Sequence, residues 1–264
     1  MKLPQPTRAT CSHFYHYANA DRLEWLKGII LDHELYLPTL TQLNDPTDGR
    51  PKLTPMSVDE LILFLWEKFV RNNPDMSLDD LEREEKVLKY NVHHYGPEEI
   101  RQLMTDALNS ELDTYRMYSM SKRYDNMVLW GTYAGSHSGY CLEFANEGPL
   151  FTNAMEVTYG DYEVSITDPE LKSGYFFFCK SPAWSYEEEV RLILPRNLGS
   201  KLKLEPRWVT RVILGYKMSD SNRKLVSEWA KQRNPQLVVI DGRFDTLHQR
   251  VTLATPLTTS SGSK

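Results

Sequence analysis

The 264-residue chain is 41% hydrophobic and 25% charged, a balance that excludes wholesale disorder. Its formal net charge of −5 excludes a strong general affinity for nucleic acid, because no basic excess is available to meet phosphates. Three scattered cysteines, Cys11, Cys141 and Cys179, form no CxxC pair and argue against a disulfide framework or a zinc site, and no metal is expected.

The first 17 residues contain no apolar core of the signal-peptide kind, and the apolar run at 61–66 is far too short to span a bilayer. A cytoplasmic protein without membrane contact is expected. Phe14-Tyr15-His16-Tyr17 has strand composition. Asn19 or Asp21 can cap the helix that follows, with Leu23, Leu26, Ile29 and Ile30 as its apolar stripe. Residues 34–39 read as a short strand and Asn44-Asp45-Pro46 as a turn. The stretch from about 57 to 116 reads as helical. Ser57 and Glu60 have capping-box spacing, a second helix starts near Ser77, and a third starts at Pro97. Its charge runs read as solvated helix faces. From Tyr115 onward the pattern is β, with strands expected at 117–120, 139–144, 155–159, 188–195, 209–214, 237–241 and 250–254. Helices are expected at about 125–134 and 220–232. The organisation expected is one α+β domain over 1–257, with a helical insertion at about 57–116 and a disordered tail at 258–264.

Three segments could carry chemistry. In a strand, side chains alternate with period two. That places Glu187, Glu189 and Arg191 on one face of the 188–195 strand and Val190, Leu192 and Leu194 on the other. Such a charged face lines a cleft or is simply solvated, with a cross-strand ion pair. The segment 130–144 interleaves Gly131, Gly135 and Gly139 with Trp130, Tyr133, His137 and Tyr140. It reads as a close-approach site for a ligand or as a packed helix–turn–strand junction. His16 lies between two tyrosines, Tyr15 and Tyr17, on the first strand, and the 44–49 turn follows the next helix and strand.

In this order the pieces resemble the bacterial domain-of-unknown-function family 2971 over about 14–254. They are Tyr15-His16-Tyr17, Leu43-Asn44-Asp45-Pro46, Leu129-Trp130-Gly131-Thr132-Tyr133-Ala134 with Ser136-His137-Ser138-Gly139-Tyr140, and Lys180 with Trp184-Ser185-Tyr186-Glu187-Glu188-Glu189-Val190-Arg191. The chain departs from the family pattern at His16, where members often carry a basic residue, and at Thr47 and Asp48, where an acidic position is displaced. The element order is also similar to ADP-ribosyltransferase-like proteins. That likeness implies a mixed, mainly antiparallel central sheet, whole or split, and NAD as the small-molecule nucleotide consumed. His16 would hold the nicotinamide ribose, Tyr133 or Tyr140 would stack on nicotinamide, Glu189 would be the catalytic acid and Glu187 would orient the acceptor macromolecule. Tyr17, Trp130 and His137 complete the expected NAD-binding set, and Arg191 accompanies the two glutamates. The resemblance also implies an association with mobile or phage-defence genes.

The physics fits that reading. Breaking the bond to nicotinamide builds oxocarbenium-like charge on the ribose, which a fixed carboxylate stabilises. Glu189→Gln should then abolish NAD cleavage and leave the fold intact. Two other readings stand beside it. One is a divalent-metal hydrolase or nuclease using Asp45, Asp48, Glu187 and Glu189. The other is a non-catalytic sensor or interaction module, with Arg191 pairing one of the glutamates and the insertion as partner surface.

Overall fold

The computed structural model describes residues 3–54, 57–165, 171 and 173–254. The expected tail at 258–264 lies outside them. Among the described residues no helix is long and apolar enough to cross a membrane.

The chain opens with β1 (His13–Ala18). The Asn19 side chain accepts from the Asp21 N–H and caps a 3-10 turn, Ala20–Arg22. That turn runs into α1 (Leu23–Lys27) and then a single π-turn, Gly28–Asp32, so the expected helix is three kinds of turn in succession. Leu26, Ile29 and Ile30 are its buried stripe. His33 stops it in the left-handed region and β2 (Glu34–Tyr36) follows. After β3 (Lys52–Leu53) come α2 (Val58–Asn72), α3 (Leu78–Tyr95) and α4 (Pro97–Leu112). Ser57 and Glu60 form both halves of the capping box, Ser77 caps α3, and Pro97 occupies the first turn of α4.

The β-rich remainder consists of β4 (Tyr115–Ser121), α5 (Met127–Thr132), β5 (Tyr140–Ala145), α6 (Gly148–Phe151), β6 (Met155–Glu156), β7 (Thr158–Tyr159), β8 (Glu163–Val164) and β9 (Cys179–Lys180). It continues with β10 (Glu189–Pro195), β11 (Lys201–Lys203), β12 (Val209–Leu214), α7 (Asp220–Gln232), β13 (Val238–Asp245) and β14 (Arg250–Leu253). The strand expected at 155–159 is two pieces, because the Val157 N–H turns to the Glu189 carbonyl and the chain changes partner from β10 to β9.

An eight-stranded sheet in the order β14-β13-β12-β5-β1-β4-β10-β6 organises the fold. Every pairing in it is antiparallel except β12–β13, which α7 connects. The fold is therefore α+β with a large mixed, mainly antiparallel sheet. One sheet face carries Phe14, Met120, Leu142, Phe144, Val190 and Leu192 and packs under Leu26, Ile29, Ile30, Val226 and Ala230. The other face supports Met117 with Phe176 and Phe177 at one end, and Tyr17 and Cys141 with Trp130 at the other.

The sheet is nearly cut in two. β1 pairs with β5 from His13↔Ala145 to Ala18↔Tyr140, and β4 pairs with β10 from Glu189↔Ser121 to Pro195↔Tyr115. Between β1 and β4, the one register pair is Tyr15↔Ser121. Beyond that hinge the strands separate, and a cavity enters the gap.

Candidate functional site

The cavity has a volume of about 1050 Å³ and takes walls from both sheet halves and from the first helical turns. Its lining includes the aromatic residues Trp25, Tyr36, Tyr118, Tyr133, Trp184 and Tyr186. His16 and Ser119 face each other across the gap, with His16 Nδ1 2.9 Å from the Ser119 carbonyl oxygen. A carbonyl can only accept, so Nδ1 carries the proton and Nε2 keeps its lone pair for a ligand. Burial lowers the His16 pKa and holds the ring neutral. The ring stacks at 4.6 Å on Tyr118, whose buried hydroxyl has no hydrogen-bond partner among the described residues.

Four buried charged side chains, Asp48, Lys180, Glu187 and Glu189, line the cavity, and the fully buried Arg191 joins their cluster from beneath. Asp48 comes from the loop after β2, where Asp45 Oδ1 accepts from the Thr47 N–H and hydroxyl at 2.8 and 2.7 Å and folds the turn back. Lys180 ends β9, after the apolar run 176–178 has been buried against the sheet. Glu187 ends a 3-10 turn, Pro182–Glu187, rather than belonging to β10. Glu188 takes a left-handed φ of 45° and breaks the strand there, because its carbonyl turns to accept from Lys122 N–H at 3.0 Å and its carboxylate reaches Arg123. The period-two pattern therefore starts at Glu189, and Glu187 joins the cluster through the turn. Ser121 Oγ fixes this turn by donating to the Glu187 carbonyl at 2.8 Å.

Arg191 donates from Nε to Glu189 Oε1 and from Nη2 to Glu189 Oε2, both at 2.8 Å, and from Nη2 to Asp48 Oδ1 at 2.6 Å. Lys180 Nζ lies 2.6 Å from Glu187 Oε2, 3.0 Å from Glu189 Oε2 and 3.2 Å from Asp48 Oδ2. Tyr133 donates its hydroxyl to Glu187 Oε1 at 2.7 Å and accepts from Asn44 Nδ2 at 3.1 Å. With all groups ionised, three carboxylates face two cations, so one negative charge is left over. Glu187 is the one of the three carboxylates without an Arg191 contact. Burial pushes the Glu189 carboxyl up, but Arg191 and Lys180 outweigh burial and hold it well below the usual carboxylate range. Burial opposes the Lys180 ammonium, yet Glu189 and Asp48 keep it firmly protonated. Glu187, in contrast, is raised, first by burial and then by the neighbouring Glu189 charge.

These contacts rearrange the expected site. His16, Tyr17, Tyr133, Tyr140, Glu187 and Glu189 all line the cavity. Tyr17 and Tyr140 spend their hydroxyls on the carbonyls of Arg123 and Arg22. Three residues lie away from it. Arg191 has no exposed surface and works beneath the floor. Trp130 is fully buried, donates to the Tyr124 carbonyl at 2.7 Å and meets Tyr17 edge-on. His137 sits at φ 71° in the turn after α5, between the rings of Trp130 and Tyr216. Around them the glycine-rich segment is a packed junction. A side chain on Gly139 would run into the Ala18 carbonyl, and one on Gly215 into that of His137. Tyr118 and Ser119 enter the cavity without having been singled out, Lys180 was quoted only as part of the resemblance, and Asp48 was expected only as a metal-site acid. The available signal for Lys180 was that it is the lone lysine closing the apolar run at 176–179.

The acids proposed for a metal do not converge on open space. Asp45 is absorbed by its own turn, and the Lys180 ammonium occupies the point between Asp48, Glu187 and Glu189 where a cation would sit. No protein-family profile, curated protein or solved structure matches the chain.

Proposed function

We propose that the chain is an NAD-consuming glycohydrolase or ADP-ribosyl transferase that binds its nucleotide in the split of the sheet, with Glu187 as the carboxylate facing the reacting ribose. The observation that carries this reading is the Glu187 carboxylate, held between Tyr133 and Lys180 in the lining of an aromatic cavity, within a cluster of three carboxylates and two cations. A positively charged ring leaving C1′ of a ribose puts oxocarbenium character on that carbon, and a net negative floor stabilises it as it forms. The C1′–N bond breaks, its electron pair stays with nicotinamide, and water or an acceptor nucleophile forms the new bond to C1′ and gives up a proton. His16 Nε2 supplies an acceptor for the ribose hydroxyls or the carboxamide. Glu189, saturated by Arg191 and Lys180, acts as a positioning residue that holds Lys180 under Glu187.

Nicotinamide release from NAD, measured with the wild type beside Glu187→Gln and Glu189→Gln, tests the reading. Glu187→Gln should keep the fold and lose about 10²–10³ in rate, the scale for removing one preorganised electrostatic group. Glu189→Gln should lose stability as well as activity, because it leaves the buried Arg191 half-paired. A wild type that neither releases nicotinamide nor gains thermal stability with NAD would sink the proposal. The saturation of Glu189 and Asp48 favours a second reading, a nucleotide sensor that binds NAD without cleaving it; stabilisation by NAD with no turnover would single it out.

A further inference from the structure

Besides Lys180 in the charge cluster, one cation lines the cavity among the described residues: Arg22. It joins the 3-10 turn Ala20–Arg22 to α1, and its backbone is fixed on both sides. Its N–H donates to the Asn19 carbonyl at 3.0 Å, and its carbonyl accepts from the Tyr140 hydroxyl at 3.2 Å. The guanidinium carbon lies over the Trp25 ring, 4.4 Å from its centroid. Trp25 leans in turn on Tyr36, with centroids 4.9 Å apart, and the Tyr36 hydroxyl donates to Gln42 Oε1 at 2.9 Å. All four side chains line the cavity.

The arginine is held by stacking and by nothing else. Among the described residues its side chain forms no hydrogen bond and no ion pair. A guanidinium resting on an aromatic face keeps its in-plane N–H edge free. Asp21 and Glu24 also line the cavity, and neither pairs with Arg22. Asp21 Oδ2 accepts from Asn19 Nδ2 at 3.1 Å, and Glu24, 83% exposed, lies 3.8 Å from Lys27 Nζ. The Arg22 charge is close enough to His16 to add to the effect of burial in lowering the pKa of that ring. An unspent cation therefore stands beside His16 on the wall of the cavity.

We propose that Arg22 recognises a diphosphate in this cavity and confines its ligands to nucleotides that carry one. The proposal rests on the nucleotide reading of the cavity and adds the group that selects the phosphorylated ligand. A planar fork of N–H donors, set in advance on a ring, matches the paired oxygens of a phosphate and loses little side-chain freedom on binding. With the ribose at His16, the 5′-phosphates are the next group along the ligand, and Arg22 is the cation beside His16.

Calorimetric titration of the full chain with NAD, ADP and nicotinamide riboside tests it, with the wild type beside Arg22→Gln. Nicotinamide riboside keeps the reacting ribose and lacks the diphosphate. Arg22→Gln should weaken NAD and ADP about ten- to a hundredfold, the scale for losing hydrogen bonds to a charged group, and leave nicotinamide riboside unchanged. Arg22→Lys should recover only part of the loss, because it keeps the charge without the fork. Arg22 is exposed, so the urea midpoint should stay in place in both variants. Equal NAD affinity in the wild type and Arg22→Gln, or a loss for nicotinamide riboside as large as that for NAD, would overturn the proposal and leave the nucleotide reading standing. Arg22-dependent binding of ADP without any nicotinamide release from NAD would support it while the cleavage of NAD fell. A wild type that binds neither NAD nor ADP would overturn both.

Discussion

Lys180→Met tests the charge cluster directly. The ammonium lies 2.6, 3.0 and 3.2 Å from carboxylate oxygens of Glu187, Glu189 and Asp48. At an effective dielectric of about 20, each contact contributes about 5 kcal/mol of attraction. Burying the ammonium beside Arg191 offsets several kcal/mol of that. Removing it leaves three buried carboxylates with Arg191 alone, and the expected loss is about 3–5 kcal/mol, the usual cost of breaking a buried pair from one side. For a chain of this size that corresponds to about 10 °C in Tm. Urea unfolding followed by Trp fluorescence would measure it, and its pH dependence is part of the prediction. Glu187 already has a raised pKa, and losing Lys180 raises it further. A carboxyl that binds its proton more tightly when folded favours the folded state below its unfolded pKa, and that advantage disappears as pH rises through the folded value. The deficit of Lys180→Met should therefore shrink as pH falls through the same window. Adding Glu187→Gln removes one uncompensated charge and should recover part of the loss at neutral pH. An unchanged midpoint and slope in Lys180→Met would refute the cluster as described.

Tyr133→Phe deletes the hydroxyl that donates to Glu187, a bond that lowers the Glu187 pKa. The acid limb of kcat/KM for nicotinamide release should then move to higher pH; a limb that stays in place would remove Glu187 from the ionisation that matters. Gly139→Ala drives a methyl group into the Ala18 carbonyl at the β1–β5 pairing and should cost ~3 kcal/mol, read from the urea midpoint. Ser57→Ala should cost about 1 kcal/mol of helix stability, seen as faster amide exchange in α2 with β4 unaffected.

The legible parts of this fold are those fixed by local chemistry. Ser57 with Glu60, Ser77, Asn19 and the periodicity of 220–232 place helix ends, because caps and stripes depend on neighbours in sequence. The convergence of Glu187 with Glu189 is also visible from the alternation, although the reason is different: a turn closed by Glu188, not a continuous strand, brings Glu187 in. The partners are what the sequence hides. Asp48 reaches Arg191 from a segment more than a hundred residues away, and no local pattern encodes that meeting. Trp130 and His137 mislead for a related reason. Aromatics between glycines suit a ligand and suit a tight packing junction equally well, and only the approach of Gly139 to Ala18 decides for packing.

The cluster itself bears on whether the cavity has a chemical role. Buried ion pairs are a weak source of stability, since apolar side chains of similar volume often serve as well or better. A structural cluster also needs balance; Arg191 meets Glu189 and Asp48, and Lys180, the one other cation, lies against all three carboxylates. Glu187 is the fifth group and unbalances them. It stands at the cavity side, where one carboxylate oxygen meets Tyr133 and the other shares Lys180 with Glu189 and Asp48. A fold that only had to pack this floor would do better with glutamine or leucine at 187. A site that must meet positive charge developing at its ligand needs that surplus, and needs it held in place before the ligand arrives. Glu187→Gln should therefore stabilise the chain or leave its stability unchanged at neutral pH while it suppresses turnover; a marked loss of stability would identify Glu187 as part of the structural pairing and remove the argument for chemistry in the cavity.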